Sequence, residues 1–391
     1  MPALKPAAYS ARQFHREGKL PTLTEIRFLT GISYNMNQVL AAKESFERAN
    51  PGIRIVTEQC TDYYEMMLAI KSESPPDIVE TCGFQAGDPD NMFIDLNPYI
   101  AEIEGLKEDI HPGLLRVAGH RGIVPSLPIE ISPPLIVYNK ELFDRAGLRY
   151  PTEAWSWDDM LELGRKLTIR DDQGIASQFG FGLGVDIEWF EPFIMRNGGR
   201  YVAEDGSTSR GHIDSPETIE AFRKIIDAFR IHRIIRNPGE PIAGNNGHDE
   251  SAMTYCFMWD TEHRKMDERY EAVGLPAMPG NVEANMIYMG GAGITSKSEN
   301  QKLAWEFLRH YLLDCHSWTP PISRSQSEAR GLTKHRIFSR YLQELDHVQL
   351  SGYYLNKKWN ASRQLINDDI HKMILEGADV AQTLRAWTRF T

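Results

Sequence analysis

The stretch "TEIRFLTGISYNMNQVLAAKESFERANPGIRI" (residues 24–55) decides the fold class. Its first residues set Ile26 and Phe28 around Arg27 and stop at Gly31, the short alternating run of a β-strand. From Met36 the period changes. Val39, Leu40, Ala42 and Phe46 recur at helical spacing until Asn50-Pro51-Gly52 ends the helix. A second strand, "IRIVTEQC", begins at Ile53. The helix "DYYEMMLAIKSES" follows, closed by Pro75-Pro76, and then a third strand, "DIVETC", runs into the loop "GFQAGDPD". Strands alternating with helices make a parallel α/β sheet, and ligands of such sheets bind beyond the carboxyl ends of the strands. Gly31 to Asn37 and Gly83 to Gln85 are therefore expected on one rim.

Further along, "VPSLPIEISPPLIVYNKELFDRAG" (124–147) holds two extended stretches broken by Pro133-Pro134, then a helix from Asn139. "SWDDMLELGRKLT" reads as a helix with Ser156 as N-cap and Asp158 and Asp159 in its first turn. "SPETIEAFRKIIDAF" is another helix, and "VEANMIYMGGAGITSKSENQKLAWEFLRHYLL" (282–313) runs from a strand through glycines into an amphipathic helix. The last hundred residues read as almost entirely helical. No internal repeat and no low-complexity tract interrupts the chain.

At 391 residues the chain exceeds what one core organises, so two domains are expected. Hydrophobic residues make up 41% and charged residues 25%, an ordinary globular composition with no run long enough to span a membrane. The net charge of −11 weighs against nucleic acid, whose backbone is held mainly by Lys and Arg. Residues 1–23 carry basic residues without an apolar core or cleavage site, so they read as a leader or linker outside the fold rather than a secretory signal. Cys60, Cys82, Cys256 and Cys315 are far apart with no CxxC and no His at ligand spacing. Zinc is not expected, nor any other metal, and the thiols are read as buried and unpaired.

Cofactor motifs are weak. "GFGLG" (180–184) has no helical pattern after it and is not read as a dinucleotide fingerprint. "GGAG" (290–293) lacks the Lys-Ser/Thr of a phosphate loop, so no cofactor is expected. "NAS" (360–362) matches a glycosylation acceptor but falls in a helical pattern.

One strand asks for a ligand. "SAMTYCFMWDTEH" (251–263) runs without charge to Met258 and ends on Trp259-Asp260, with Glu262 beyond. A sugar ring has apolar C–H faces that lie on an indole and hydroxyls that need acceptors, and carboxylates make the stronger hydrogen bonds. Trp259 for the face and Asp260 or Glu262 for the hydroxyls form a suitable set.

The ordered series "TEIRFLTG", "NPGIRI", "PPDIVE", "FIDLNPYI", "LPIEISPPLIVYNKELFDRAGLRYPTEAWSWDDMLELGRKLT", "NGG" (197–199), "SAM" and "AWEFLRHYL" resembles the extracellular solute-binding proteins of the sugar-binding group, among them the maltodextrin-binding proteins of ABC transporters. The resemblance covers residues 24 to 391. It implies an α/β two-lobe periplasmic-binding-protein-like fold (type II), each lobe a mixed sheet flanked by helices. Lobe 1 would hold 24–132 and 287–335, and lobe 2 135–285 and 336–391. Hinge crossings would lie near Ser132–Leu135 and Tyr288–Gly290, and the cleft would close on its ligand. It also implies aromatic platforms at Trp259, at Trp189 in "VDIEWFEP", and at Trp359 in "NKKWNASRQL". Where the family commonly has glycine before the first of these, this chain has Cys256-Phe257-Met258.

Candidate contacts on the first lobe are Ser33, Tyr34, Asn35 and Asn37 after strand one, and Phe84 and Gln85 after strand three. At the hinge they are Glu130, Ser132, Tyr288, Gly290 and Gly291, and Glu188 stands beside Trp189. Trp155, Trp157, Trp305, Trp318 and Trp387 read as packing residues. The resemblance implies a non-enzymatic, monomeric receptor that delivers a carbohydrate to the membrane permease subunits of an ABC importer. Its location would be extracytoplasmic if a signal segment was removed, with a cytoplasmic one left open. Two alternatives stand beside it. A glycoside-acting enzyme needs two carboxyls roughly 5 to 9.5 Å apart, which Asp260 with Glu262, or Glu188 with Glu130, could supply. A cytosolic sugar-sensing domain of a regulator would keep the fold and change the partner.

Overall fold

A computed structural model of the chain describes residues 23–31, 36–60, 63–81, 91–120, 122–243, 250–261, 264, 267–315 and 320–391. Strands β1 (Thr24–Thr30), β2 (Ile53–Gln59), β3 (Ile78–Thr81) and β4 (Leu127–Ser132) come first. They are followed by β5 (Leu135–Asn139), β6 (Ile169–Arg170), β7 (Ala176–Gly182), β8 (Ser251–Cys256) and β9 (Tyr270–Val273). The series ends with β10 (Asn285–Met286), β11 (Tyr288–Ile294) and β12 (Val348–Gln349). The first sheet has the order β2-β1-β3-β11-β4 and the second β6-β7-β8-β5-β9, while β10 and β12 form a separate pair.

The β1, β2 and β3 strands pair in parallel, as their alternation with helices requires. Both sheets are nonetheless mixed. Strand β11 enters the first sheet antiparallel to β3 and β4, and β5 lies antiparallel to β8 and β9 in the second. Pro133-Pro134 marks the change of sheet between β4 and β5, since proline supplies no ladder donor. The chain crosses back between β10 and β11. Asn285 ties the two crossings: its Nδ2 donates to the Pro134 carbonyl at 2.9 Å and to Glu344 at 2.6 Å. Glu344 is itself paired with Arg196 at 3.2 Å.

Period two sorts the β5 side chains into two cores. Leu135 and Val137 join a cluster with Ile337, Phe338, Tyr341 and the first sheet. Ile136 and Tyr138 join another with Phe143, Phe181 and Met253. Local chemistry sets the helix starts: Asn139 caps Lys140–Ala146, and Ser156 and Asp159 form a capping box on Trp157–Leu167. Trp155, Trp157, Trp305 and Trp387 are buried, and Trp318 lies outside the described residues. The "GFGLG" motif is followed by a helix after all, Ile187–Arg196. Its Gly180 is a packing glycine, because a Cβ there would sit 2.1 Å from the Gly164 carbonyl oxygen. Cys256 is a buried free thiol and Cys315 a half-buried one; Cys60 is half-buried too, and Cys82 lies outside the described residues.

Candidate functional site

Beyond the end of β8 the chain continues as Phe257-Met258 and tightens into a 3-10 turn, Trp259–Thr261. Side-chain bonds add to the backbone bonds Asp260 N–H to Phe257 carbonyl and Thr261 N–H to Met258 carbonyl, both 3.1 Å, in holding this turn. The Met258 N–H donates to Ser132 Oγ at 2.6 Å, the Phe257 N–H to Asp260 Oδ2 at 3.1 Å, and Thr261 Oγ1 to the Met258 carbonyl at 2.7 Å. The turn leaves Trp259 41% exposed. Behind it the Phe257 ring stacks at 4.7 Å and 19°, with Tyr288 at 5.8 Å.

The aromatic row extends further. Trp189 stacks on Tyr255 at 5.6 Å and 25° and meets the edge of Phe257 at 5.8 Å. Tyr255, Phe257 and Trp259 are two residues apart, the spacing that puts side chains on one side of an extended chain. That period-two signal is present in "YCFMW", and reading only its last residue misses Tyr255 and Phe257. Gly184 makes room for the row, since a Cβ there would lie 2.6 Å from the Trp189 ring.

Trp189, Tyr255, Trp259 and Asp260 line one open cleft of about 840 Å³. Its polar wall includes Asn237, Ser251, Thr254, Arg264 and His371, none of them anticipated from the sequence, along with an Arg236–Glu250 ion pair at 3.0 Å. The Arg264 guanidinium donates to Cys256 Sγ at 3.0 Å and lies over the Tyr270 ring. Burial pushes the Cys256 thiol up to about 12, so it accepts this bond as a neutral thiol. Aromatic walls with a few fixed polar groups are the usual make-up of a small-molecule site.

Several expected contacts sit elsewhere. Trp359 is 3% exposed inside the second core, its ring 5.3 Å from Tyr201, so it presents no platform. Glu188, 3% exposed, lies at the start of the helix Ile187–Arg196 with Arg363 Nη1 3.1 Å from its carboxyl. Among the described residues no hydrogen bond of good geometry reaches either of its oxygens. Burial raises it to about 8 against the opposing pull of Arg363. Neighbouring Glu191 is also buried and is raised to about 7 by burial, although the Gly352 N–H donates to it at 2.7 Å and Ser351 Oγ also donates. The acids around Trp189 thus face inward, contrary to their polar composition.

Ser132 is buried and spends its hydroxyl on the Met258 N–H, so it shapes the Trp259 turn rather than meeting a ligand. Gly290 and Gly291 form a bulge of β11 against β4, and a Cβ on Gly291 would lie 2.7 Å from Ser126 Oγ. The smallness of Gly291 serves strand packing. Asn37 is exposed in the first turn of the helix Met36–Ala49. Ser33, Tyr34, Asn35, Phe84, Gln85, Glu262 and the Glu130 side chain lie outside the described residues. Among the described residues no group of three or more His, Cys, Asp or Glu side chains could hold a metal.

Residues 30–314 match the family of bacterial extracellular solute-binding proteins. The chain belongs to that family. Within it, the arabinooligosaccharide-binding protein of Halalkalibacterium halodurans is 23% identical over 203 residues, a match spanning 47% of this chain and 42% of that relative. Among solved structures, the sugar-binding protein MalE from Xanthomonas citri superposes with a TM-score of 0.77 at 15% identity, covering 94% of this chain and 96% of that one. The cyclic alpha-maltosyl-1,6-maltose binding protein from Arthrobacter globiformis gives 0.75 at 17%, covering 94% and 98%. These likenesses establish for this solute-binding protein the two-lobed type II fold. Among the described residues no helix is long and apolar enough to cross a membrane.

Proposed function

We propose that this solute-binding protein captures a carbohydrate, as mono- or oligosaccharide, and delivers it to the permease subunits of an ABC importer outside the cytoplasm. The observation that carries the reading is the half-exposed Trp259, backed by Phe257 and flanked by Asp260, at the end of an aromatic row in an open cleft. An indole held from behind offers its remaining surface to the C–H face of a pyranose, and Asp260 stands beside it for the hydroxyls. The ligands named for its relatives, arabinooligosaccharide and a cyclic maltosyl-maltose, are of the same class. The protein acts as a monomer and without turnover. Glu188 is enclosed in the second core with Arg363, which removes it from the carboxyl pairs a glycosidase would use.

The lobes are 24–132 with 287–335 and 135–285 with 336–391, hinged where Asn285 ties the crossings. The cleft residues belong to the second lobe, so a bound sugar satisfies its outward hydroxyls when the first lobe swings over. The ligand biases that closure by no more than its differential affinity for the two forms.

A thermal-shift screen against neutral mono- and oligosaccharides tests the capture. A ligand at 100 times its Kd adds about 2.7 kcal/mol of stability, and small-angle scattering with that ligand is expected to give a smaller radius of gyration. Hydrolysis of any sugar in the panel would sink the receptor reading, and tight binding without compaction would sink the hinge.

A further inference from the structure

Away from the cleft, the helix Gln301–Arg309 ends in a wider π turn, His310–Asp314, packed against the helix Met36–Ala49. The Cys315 N–H closes that turn by donating to the His310 carbonyl at 2.9 Å, which brings side chain 315 back over side chain 310. Single π turns are frequent at functional positions. Here three reactive side chains meet. Cys315 Sγ lies 3.0 Å from His310 Nε2, and His310 Nδ1 lies 3.3 Å from Asp314 Oδ2. Ser45 on the facing helix puts its hydroxyl 2.8 Å from His310 Nε2 and 3.4 Å from the sulfur. The Phe46 ring packs at 5.6 Å from the imidazole.

This is the order of a nucleophile, its base and a group that orients the base. The Asp314 carboxylate accepts the Nδ1 proton and favours the imidazolium, and with the Cys315 contact it raises His310 to about 9. Burial opposes a Cys315 thiolate, but the hydrogen bond and charge of His310, with the Ser45 contact, outweigh it and hold the thiol below its ordinary range. Arg309 pairs with the same Asp314 oxygen, Oδ2, at 3.6 Å, and on the facing helix Lys43 and Glu47 pair with each other. Cys60, the other half-buried thiol, rests against the Thr30 carbonyl and stands well apart in sequence from any histidine.

We propose that Cys315, His310 and Asp314 form a nucleophilic thiol site at which a peroxide oxidises the sulfur. The sulfur attacks one peroxide oxygen, and an S–O bond forms as the O–O bond breaks. Sulfur loses two electrons to the peroxide. The leaving hydroxide takes the Nε2 proton of His310 and departs as water, which leaves a sulfenic acid beside a neutral imidazole. His310 is the proton donor and Asp314 a positioning residue.

The test uses the whole protein, iodoacetamide and hydrogen peroxide, with modified positions read by peptide mass spectrometry. An ordinary thiol loses reactivity steeply between pH 9 and pH 6 because the thiolate is the nucleophile. The Cys315 alkylation rate is expected to fall at least tenfold less than that of free cysteine over this interval. His310→Gln steepens the profile to match free cysteine, and Asp314→Asn, at a half-exposed position, shifts it the same way if the first variant fails to fold. Peroxide followed by a dimedone trap labels Cys315, and the label disappears in Cys315→Ser. A profile equal to that of free cysteine, a profile unmoved by either variant, or trapping at other cysteines alone overturns the proposal.

Discussion

The aromatic row at the cleft and the aromatic cluster inside the second core are made from the same residue types. In the row, Trp189, Tyr255, Phe257, Trp259 and Tyr288 follow one another in ring contact, and Trp259 at the open end remains 41% exposed. In the inner cluster, Trp359 meets Tyr201 at 5.3 Å, Tyr201 meets Phe222 at 6.1 Å, and Phe222 meets Trp387 at 5.7 Å. All four are buried there. Both groups also carry an acid. Asp260 uses one oxygen on the Phe257 N–H and lines the cleft. Glu191 is enclosed with Ser351 and Gly352, and Gly352 in turn packs near Tyr201 and Trp359. A large ring closed in on every side contributes stability. A ring closed in on one side contributes a surface.

Substitutions can break this contrast, and the largest effect belongs to the inner cluster. Trp359→Ala removes a buried indole and is expected to cost about 3–5 kcal/mol in urea denaturation. A loss below 1 kcal/mol together with abolished saccharide binding would move Trp359 back into the cleft. Next in size is the pH dependence carried by Glu191. Its folded pKa of about 7 stands above the ordinary 4.5, so its contribution is fully present below pH 4.5 and is lost as pH rises through about 7. The slope is at most about 1.4 kcal/mol per pH unit. Glu191→Gln should therefore gain on the wild type between pH 5 and pH 7.5 in paired denaturation curves, and a constant difference would mean that Glu191 titrates normally. The smallest effect is at the cleft. Trp259→Ala should weaken saccharide binding at least tenfold, about 1.4 kcal/mol, with little change in melting temperature. Unchanged affinity by calorimetry would remove Trp259 from the site.

The elements themselves were legible because their signals are local. Residues 24–55 read as strand, helix and strand, and the structure has β1, the helix Met36–Ala49 and β2 there. Ser156 caps its helix through its own neighbour Asp159, and Pro133-Pro134 divides two strands whichever sheets they enter. The exposure of Trp259 beside Asp260 was legible too, because an apolar strand ending on an indole and an acid has few reasons to do so inside a core. Side chains satisfied from far along the chain were not. Glu188 and Glu191 look like solvent-facing acids beside Trp189, until Arg363, Ser351 and Gly352 arrive to meet them. Gly290 and Gly291 look like room for a ligand, until Ser126 fills the space beside Gly291. Trp359, next to two lysines and an asparagine, looks exposed, yet Tyr201 comes to lie against its ring. Period and capping act over a few residues, so the sequence alone determined where strands and helices form. Burial depends on which distant segment lands on a side chain, and only the tertiary structure decided which tryptophan would stay exposed at the cleft.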